Sequence, residues 1–180
     1  MDDILNYIKS ITVVILSFIM FGCASPANIS NVMVDNAYNL EFKDEYIGKI
    51  GVIHVNGSSN TSELYDMGLE NKEFKTALKE SLKSQYLLAI ESRPQFELTA
   101  SFLNVDYPSF GSDLYFDSDV RYLLIDKVSD KVVFDSVITS QGIATMSDSL
   151  MGSTRLKIAA ERSAHENIKG FLEKLSSNKK

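Results

Sequence analysis

The chain has 180 residues, with no tryptophan, three prolines and a single cysteine. One cysteine excludes an internal disulfide and every multi-cysteine metal site. Histidine is nearly as scarce. His54 and His165 are the only two, and neither has a ligand-type partner at i+4, so no metal site is expected. No G-x-S-x-G elbow and no glycine-rich phosphate loop occurs, which removes common routes to nucleophilic catalysis and nucleotide binding. Cations are short as well: 18 Lys and Arg stand against 24 Asp and Glu, a net charge of −6. A protein that tracks a phosphate backbone needs a basic stripe, so no nucleic-acid partner is expected. The densest carboxylate group is Asp113, Asp117 and Asp119 in GSDLYFDSDVRY. It lacks the central glycine and terminal glutamate of a calcium loop, and acids beside a strand start read as solvated turn residues. The expectation is a protein without catalytic residues or cofactor, and not an enzyme.

What is present begins with the position of that one cysteine. In TVVILSFIMFGCASP, Thr12–Pro26, Cys23 stands where an apolar run ends. The run from Ile11 to Phe21 is short of the roughly 20 residues that span a bilayer, but it fits the apolar core of an export signal. Gly22, Cys23, Ala24 and Ser25 supply the small residues that a signal peptidase accepts beside its cut. The stretch resembles the lipobox of bacterial lipoproteins, with cleavage between Gly22 and Cys23 and lipidation of the Cys23 thiol. Met20 stands where Leu is usual, Phe21 is bulkier than the usual small residue, and Asp2 and Asp3 weaken the basic leader. The alternatives are a buried core cysteine or an uncleaved anchor. A diacylglycerol thioether with an N-acyl chain (palmitate-type) would hold the protein stably, because more than one chain buries enough methylene groups. By analogy with Gram-negative lipoproteins, Ala24 rather than Asp after the cysteine implies the periplasmic face of the outer membrane.

Beyond Cys23 the residues to Gly48 carry scattered apolar side chains and read as a tether with a short strand near Asn31–Val34. Lys49–Val55 is β-branched and followed by turn formers, the mark of a strand. Asn71 is placed to cap a helix in which Phe74, Ala77, Leu78, Leu82 and Tyr86 form one stripe, closed by Arg93-Pro94. Phe96, Leu98, Ala100 and Phe102 alternate with polar residues, as in a strand packed on one side. Asp119–Asp126, the turn KVSD and the return from Lys131 complete an antiparallel meander. Ser153 or Thr154 can cap a last helix from Arg155, whose face begins with small residues (Ala159, Ala160, Ser163, Ala164) that would allow close approach to a sheet. The expected fold is α+β: a two-layer α/β sandwich in β-α-β-β-β-α order, a mostly antiparallel sheet with two helices on one face. The division is 1–22 signal peptide, 23–48 lipidated N-terminus and tether, 49–176 one sandwich domain, and 177–180 polar tail.

The final helix, STRLKIAAERSAHENIKGFLEKL, resembles that of a YajG-type family of Gram-negative envelope lipoproteins. The likeness lies in Arg155, Ala159 or Ala160, Glu161, Ala164 and Asn167-Ile168 before Phe171. FKTALKESLKSQYLL and the break from Pro108 to Gly111 agree with it; the loop after the first strand does not, having Leu64, Tyr65 and Met67 where the family has aromatics. The resemblance implies a location and a fold, and no particular activity. The role expected is a non-enzymatic protein-binding or envelope-assembly module. It would meet the membrane through its lipidated N-terminus and a protein partner through Leu64, Tyr65 and Met67 or a sheet edge. The alternative is a module binding a small lipid or glycan; a hydrolase or transferase is a third possibility. Arg155 and Asn167 are assigned structural polar roles: Arg155 tied to a carboxylate, Asn167 bonded to backbone of the sheet edge or a loop.

Overall fold

The computed structural model describes residues 27–36, 40–57, 69–90, 94–108 and 110–178. Within them a short helix α1 (Ile29–Val32) and a 3₁₀ turn (Asp44–Tyr46) precede β1 (Ile50–Asn56) and helix α2 (Asn71–Ser84). Strands β2 (Phe96–Asp106), β3 (Leu114–Asp126) and β4 (Lys131–Ala144) follow, and helix α3 (Gly152–Ser177) ends the order. The sheet runs β1-β2-β3-β4, with β1 parallel to β2 and the other pairs antiparallel. A parallel pair needs a crossover, and α2 supplies it; the antiparallel strands need only short links. α2 packs on β1 and α3 on β3 and β4, giving the α+β sandwich with both long helices on one face.

Alternation decides which side chains enter the core. In β2, Phe96, Leu98, Ala100 and Phe102 are buried while Glu97, Thr99 and Ser101 are half-buried on the other face. β3 continues that layer with Leu114, Phe116, Ser118, Val120, Tyr122 and Leu124. Aromatic pairs tie the layers together: Phe74 on α2 meets Phe102 edge-on at 4.9 Å, and Tyr122 stacks on Phe171 of α3 at 4.3 Å.

Four details depart from the sequence expectation. β3 starts at Leu114 rather than Asp119, so Asp117 is a strand residue rather than a turn residue and Asp119 lies inside the strand. Their side chains lie on the open face and accept from Gln141 Nε2 (2.8 Å) and Thr139 Oγ1 (2.5 Å) across the ladder. The segment near Asn31–Val34 is not a strand. It is one helical turn, capped by Asn28 Oδ1 accepting from Ser30 N at 3.2 Å. From Ala27 on it is packed and not a free tether, since Ala27, Val32, Val34 and Tyr46 are all buried. α3 begins at Gly152, ahead of both expected caps, with no side-chain cap from Met151.

The fourth departure is the end of α2. The apolar stripe suggests continuation through Tyr86, yet the helix stops at Ser84 and Tyr86 has φ = 59° and is 71% exposed. Leu87 N donates to Leu82 O (2.8 Å) and Tyr86 N to Lys83 O (3.0 Å), a Schellman closure with tyrosine in the left-handed position usually held by glycine. The closure turns the chain so that Leu87 is buried and Leu88 bridges Ile50. An L-residue there costs about 1–2 kcal/mol. Tyr86→Gly is therefore expected to raise stability by about 1 kcal/mol, read as a higher urea midpoint at unchanged slope.

Candidate functional site

The small residues of α3 meet an equally small surface on β4. An ideal Cβ on Gly142 would lie 2.0 Å from Ala159 O and 2.4 Å from Ser163 N, so the helix backbone rests directly on the strand. Such close approach brings polar side chains together inside. Ser118 of β3, Ser140 of β4 and Ser163 of α3 form a triangle of hydroxyls at 3.0, 3.0 and 3.1 Å. Beside it Asn167 Nδ2 donates to Ser140 Oγ (2.9 Å) and Ile138 O (3.0 Å), and Tyr122 OH donates to Asn167 Oδ1 (2.9 Å). All five side chains are buried. Burial holds the Tyr122 phenol well above its ordinary pKa, so it stays a neutral donor. Among the described residues the partners here are hydroxyls, an amide and carbonyls, none of them a base of the kind that activates a serine. The cluster fixes the register of helix on sheet.

A second construction joins the N-terminal segment to both helices. The buried Glu161 carboxylate of α3 accepts from Asn28 N and Asn31 Nδ2, each at 2.7 Å. His165 Nδ1 lies 3.1 Å from Met33 O. On the α2 side, Ser81 Oγ accepts from Val34 N (2.9 Å), Ser84 Oγ donates to Val34 O (2.8 Å) and Gln85 Nε2 to Asp35 O (2.8 Å). Residues 27–35 thus form a strap laid between α2 and α3. His165 of α3 is part of this clasp; His54 is exposed on β1. Among the described residues no group of three metal-ligating side chains occurs.

The two free sheet edges are partly taken. On β4, Arg162 Nη1 donates to Ile143 O (2.5 Å), Lys174 Nζ to Val137 O (3.3 Å) and Asn178 Nδ2 to Val133 O (3.4 Å). On β1, Lys75 Nζ donates to Ile53 O (2.6 Å), while Ile50 pairs with the Leu87–Ala89 segment through Ile50 N to Leu87 O and Ala89 N to Ile50 O. Cationic side chains over an edge are a protection against strand addition. Among the described residues nothing covers the sheet face opposite the helices, which carries Leu103, Val137 and Ile143, 43–49% exposed, around the Arg121–Asp135 ion pair at 2.6 Å.

Arg155 has different partners from the carboxylate expected. No carboxylate pairs with it among the described residues. Instead the buried guanidinium donates to three backbone carbonyls: Nη1 to Ser149 O (3.0 Å) and Leu150 O (3.1 Å), Nη2 to Gly111 O (2.9 Å). The Arg–carboxylate pair in this region is Arg162 with Asp148 at 2.7 Å. That guanidinium, with help from the Thr145 amide, lowers the Asp148 carboxyl to about 2. Gly22 and Cys23 lie outside the described residues, as do Leu64, Tyr65 and Met67. The hydroxyl triangle and Gly142 were not nominated from the sequence; the only signal for them was the run of small residues in α3.

No family model and no curated protein matches the chain. Solved structures do. A candidate lipoprotein from Caulobacter crescentus is 13% identical, with a TM-score of 0.50 over 74% of this chain and 91% of that one. A Xanthomonas campestris protein of the DUF330 family is 9% identical, with a TM-score of 0.56 over 76% and 90%. PelC from Paraburkholderia phytofirmans, solved as a dodecamer, is 16% identical, with a TM-score of 0.50 over 72% and 86%. The chain therefore has an α+β fold that is also found in Gram-negative proteins described as lipoproteins.

Proposed function

We propose that the chain is a cell-envelope lipoprotein, acylated at Cys23 and held on the periplasmic face of the outer membrane, where its sandwich domain binds a protein partner during envelope assembly. The observation that carries this reading is the strap. Ala27 is already packed in it only four residues after Cys23, so an acylated Cys23 would keep the domain within about 14 Å of the leaflet. A domain held that close serves as a fixed platform rather than a ranging tether. The uncovered sheet face with Leu103, Val137 and Ile143 is then the surface offered to a partner, favoured over the edges because helix side chains occupy edge carbonyls. The loop with Leu64, Tyr65 and Met67 remains a second contact in this proposal. Assembly of PelC as a dodecamer favours a second copy of this chain as one partner to test. Binding of a small envelope lipid or glycan is the alternative.

Two measurements decide it. Cys23→Ser is expected to abolish acylation and cleavage, giving an intact mass that retains residues 1–22 and carries no acyl chains. An acyl-free, normally processed wild-type chain would refute the anchor. Photo-crosslinkers placed at Val137 and Tyr65 in cells are expected to give one dominant protein adduct. Adducts to lipid or glycan alone would favour the alternative.

A further inference from the structure

We propose that the end of the sandwich built by the β2–β3 and β4–α3 loops is a lipid-contacting tip, seated in the headgroup region of the leaflet that carries the anchor. The proposal rests on the lipoprotein reading above and adds a second, non-covalent membrane contact to it.

Four large apolar side chains stand in solvent at that end: Phe110 (88% exposed), Leu150 (87%), Met151 (67%) and Met146 (54%). They come from two loops that Arg155 gathers, since Gly111 O, Ser149 O and Leu150 O all bind one buried guanidinium. Arg162 fixes the base of the second loop through Ile143 O and the Asp148 carboxylate. Between the loops lies a cleft of about 420 Å³ lined by Pro108, Phe110, Leu114, Arg155 and Leu156. The backbone is therefore held with its apolar side chains outward, and a gathered exposed patch of this kind marks an interaction surface.

The opposite end also exposes apolar groups, namely Tyr86, Ile90 and Val128. The strap chooses between the two ends. Followed backwards toward Cys23, it leaves Ser84 and Gln85 at the C-terminal end of α2, passes His165, and reaches Glu161 at Asn28. It is thus heading for the N-terminal end of α3, and Glu161 is already only about 9 Å along the axis from Arg155. The described chain thus ends at Ala27 on the side of the end that bears Phe110 and Leu150, and an acyl anchor four residues before Ala27 lies within about 14 Å of that point. An apolar tip beside an acyl anchor sinks about 5–10 Å into the headgroup and acyl boundary. Charge at this end does not favour anionic lipid: Asp106 and Asp113 are exposed, and Asp148 is already paired with Arg162. The contact is apolar and will be insensitive to salt.

Because the chain contains no tryptophan, a single one is a clean reporter. Full-length F110W, L150W and, as control, V137W chains are reconstituted in phosphatidylethanolamine–phosphatidylcholine vesicles with or without brominated phosphatidylcholine. Bromolipid is expected to cut the emission of F110W and L150W by about half or more and to leave V137W unchanged. Emission of F110W and L150W that bromolipid does not alter, in chains that float with the vesicles, overturns the tip. Intact mass separates the two readings. If Cys23 proves unacylated, the lipoprotein reading fails. The tip then stands only if that unacylated chain still floats with the same vesicles and shows the quench, and failure to float overturns it.

Discussion

Gly142→Ala is expected to cost at least about 3 kcal/mol of stability, a large share of the roughly 5–15 kcal/mol that holds a typical domain together. The added methyl would sit 2.0 Å from Ala159 O and 2.4 Å from Ser163 N, both backbone atoms of the same helix. Neither can turn aside as a side chain can, so the middle of α3 must lift from β4. Lifting separates Ser163 from Ser118 and Ser140 and strips Asn167 of its hold on Ile138 O. Gly170→Ala is the control. Its methyl would meet only Ile138 Cγ2, at 2.9 Å, which a rotamer change relieves, and the cost should stay below about 1.5 kcal/mol. Urea unfolding of both variants reads the difference. Equal costs would mean that the close approach at Gly142 is not what positions the helix.

Asn167→Leu should be nearly as damaging, by about 3 kcal/mol, although it exchanges a polar for an apolar side chain of similar size in the core. The loss comes from what Asn167 leaves behind. Tyr122 OH has its acceptor in Asn167 Oδ1, and a buried unmade hydrogen bond costs about 1–3 kcal/mol. Ser140 loses a donor as well. Tyr122→Phe removes the orphaned hydroxyl, so the double variant should lose at least about 1 kcal/mol less than the sum of the single losses. Simple additivity in that cycle would show that the network acts through packing alone.

The sequence disclosed the fold through periodicity, and its failures have physical causes. β2 was legible because each inward residue is apolar. β3 was read as starting late because its inward row contains Ser118, while Asp117 and Asp119 look like turn residues. Ser118 faces the core only because Ser140 and Ser163 satisfy it, a pairing across 22 and 45 positions that no local window contains. The end of α2 was misplaced because a glycine normally announces a Schellman turn, and here a tyrosine takes that conformation. Arg155 and Asn167 stand out as polar residues in an apolar helix, and Asn167 does reach edge-strand backbone at Ile138 O, but their other partners leave no local signal. Arg155 binds carbonyls, which carry no sequence signature, and Asn167 reaches a tyrosine hydroxyl 45 positions away. The strap was the largest surprise, since its apolar residues are too sparse to show any period.

The strap also sets a timetable. Asn28, Asn31 and Met33 leave the ribosome early, yet their partners Glu161 and His165 are made 130–133 positions later. At a synthesis rate of about 5–20 residues per second, the segment waits on the order of ten seconds for the helix that receives it. The strap's bonds to Ser81 and Ser84 of α2 and to Gln85 can form about 50 positions after it is made, but the Glu161 and His165 contacts must wait for α3. Closure of this domain is thus completed from its far end: the last helix to be made is the one that locks the strap in place.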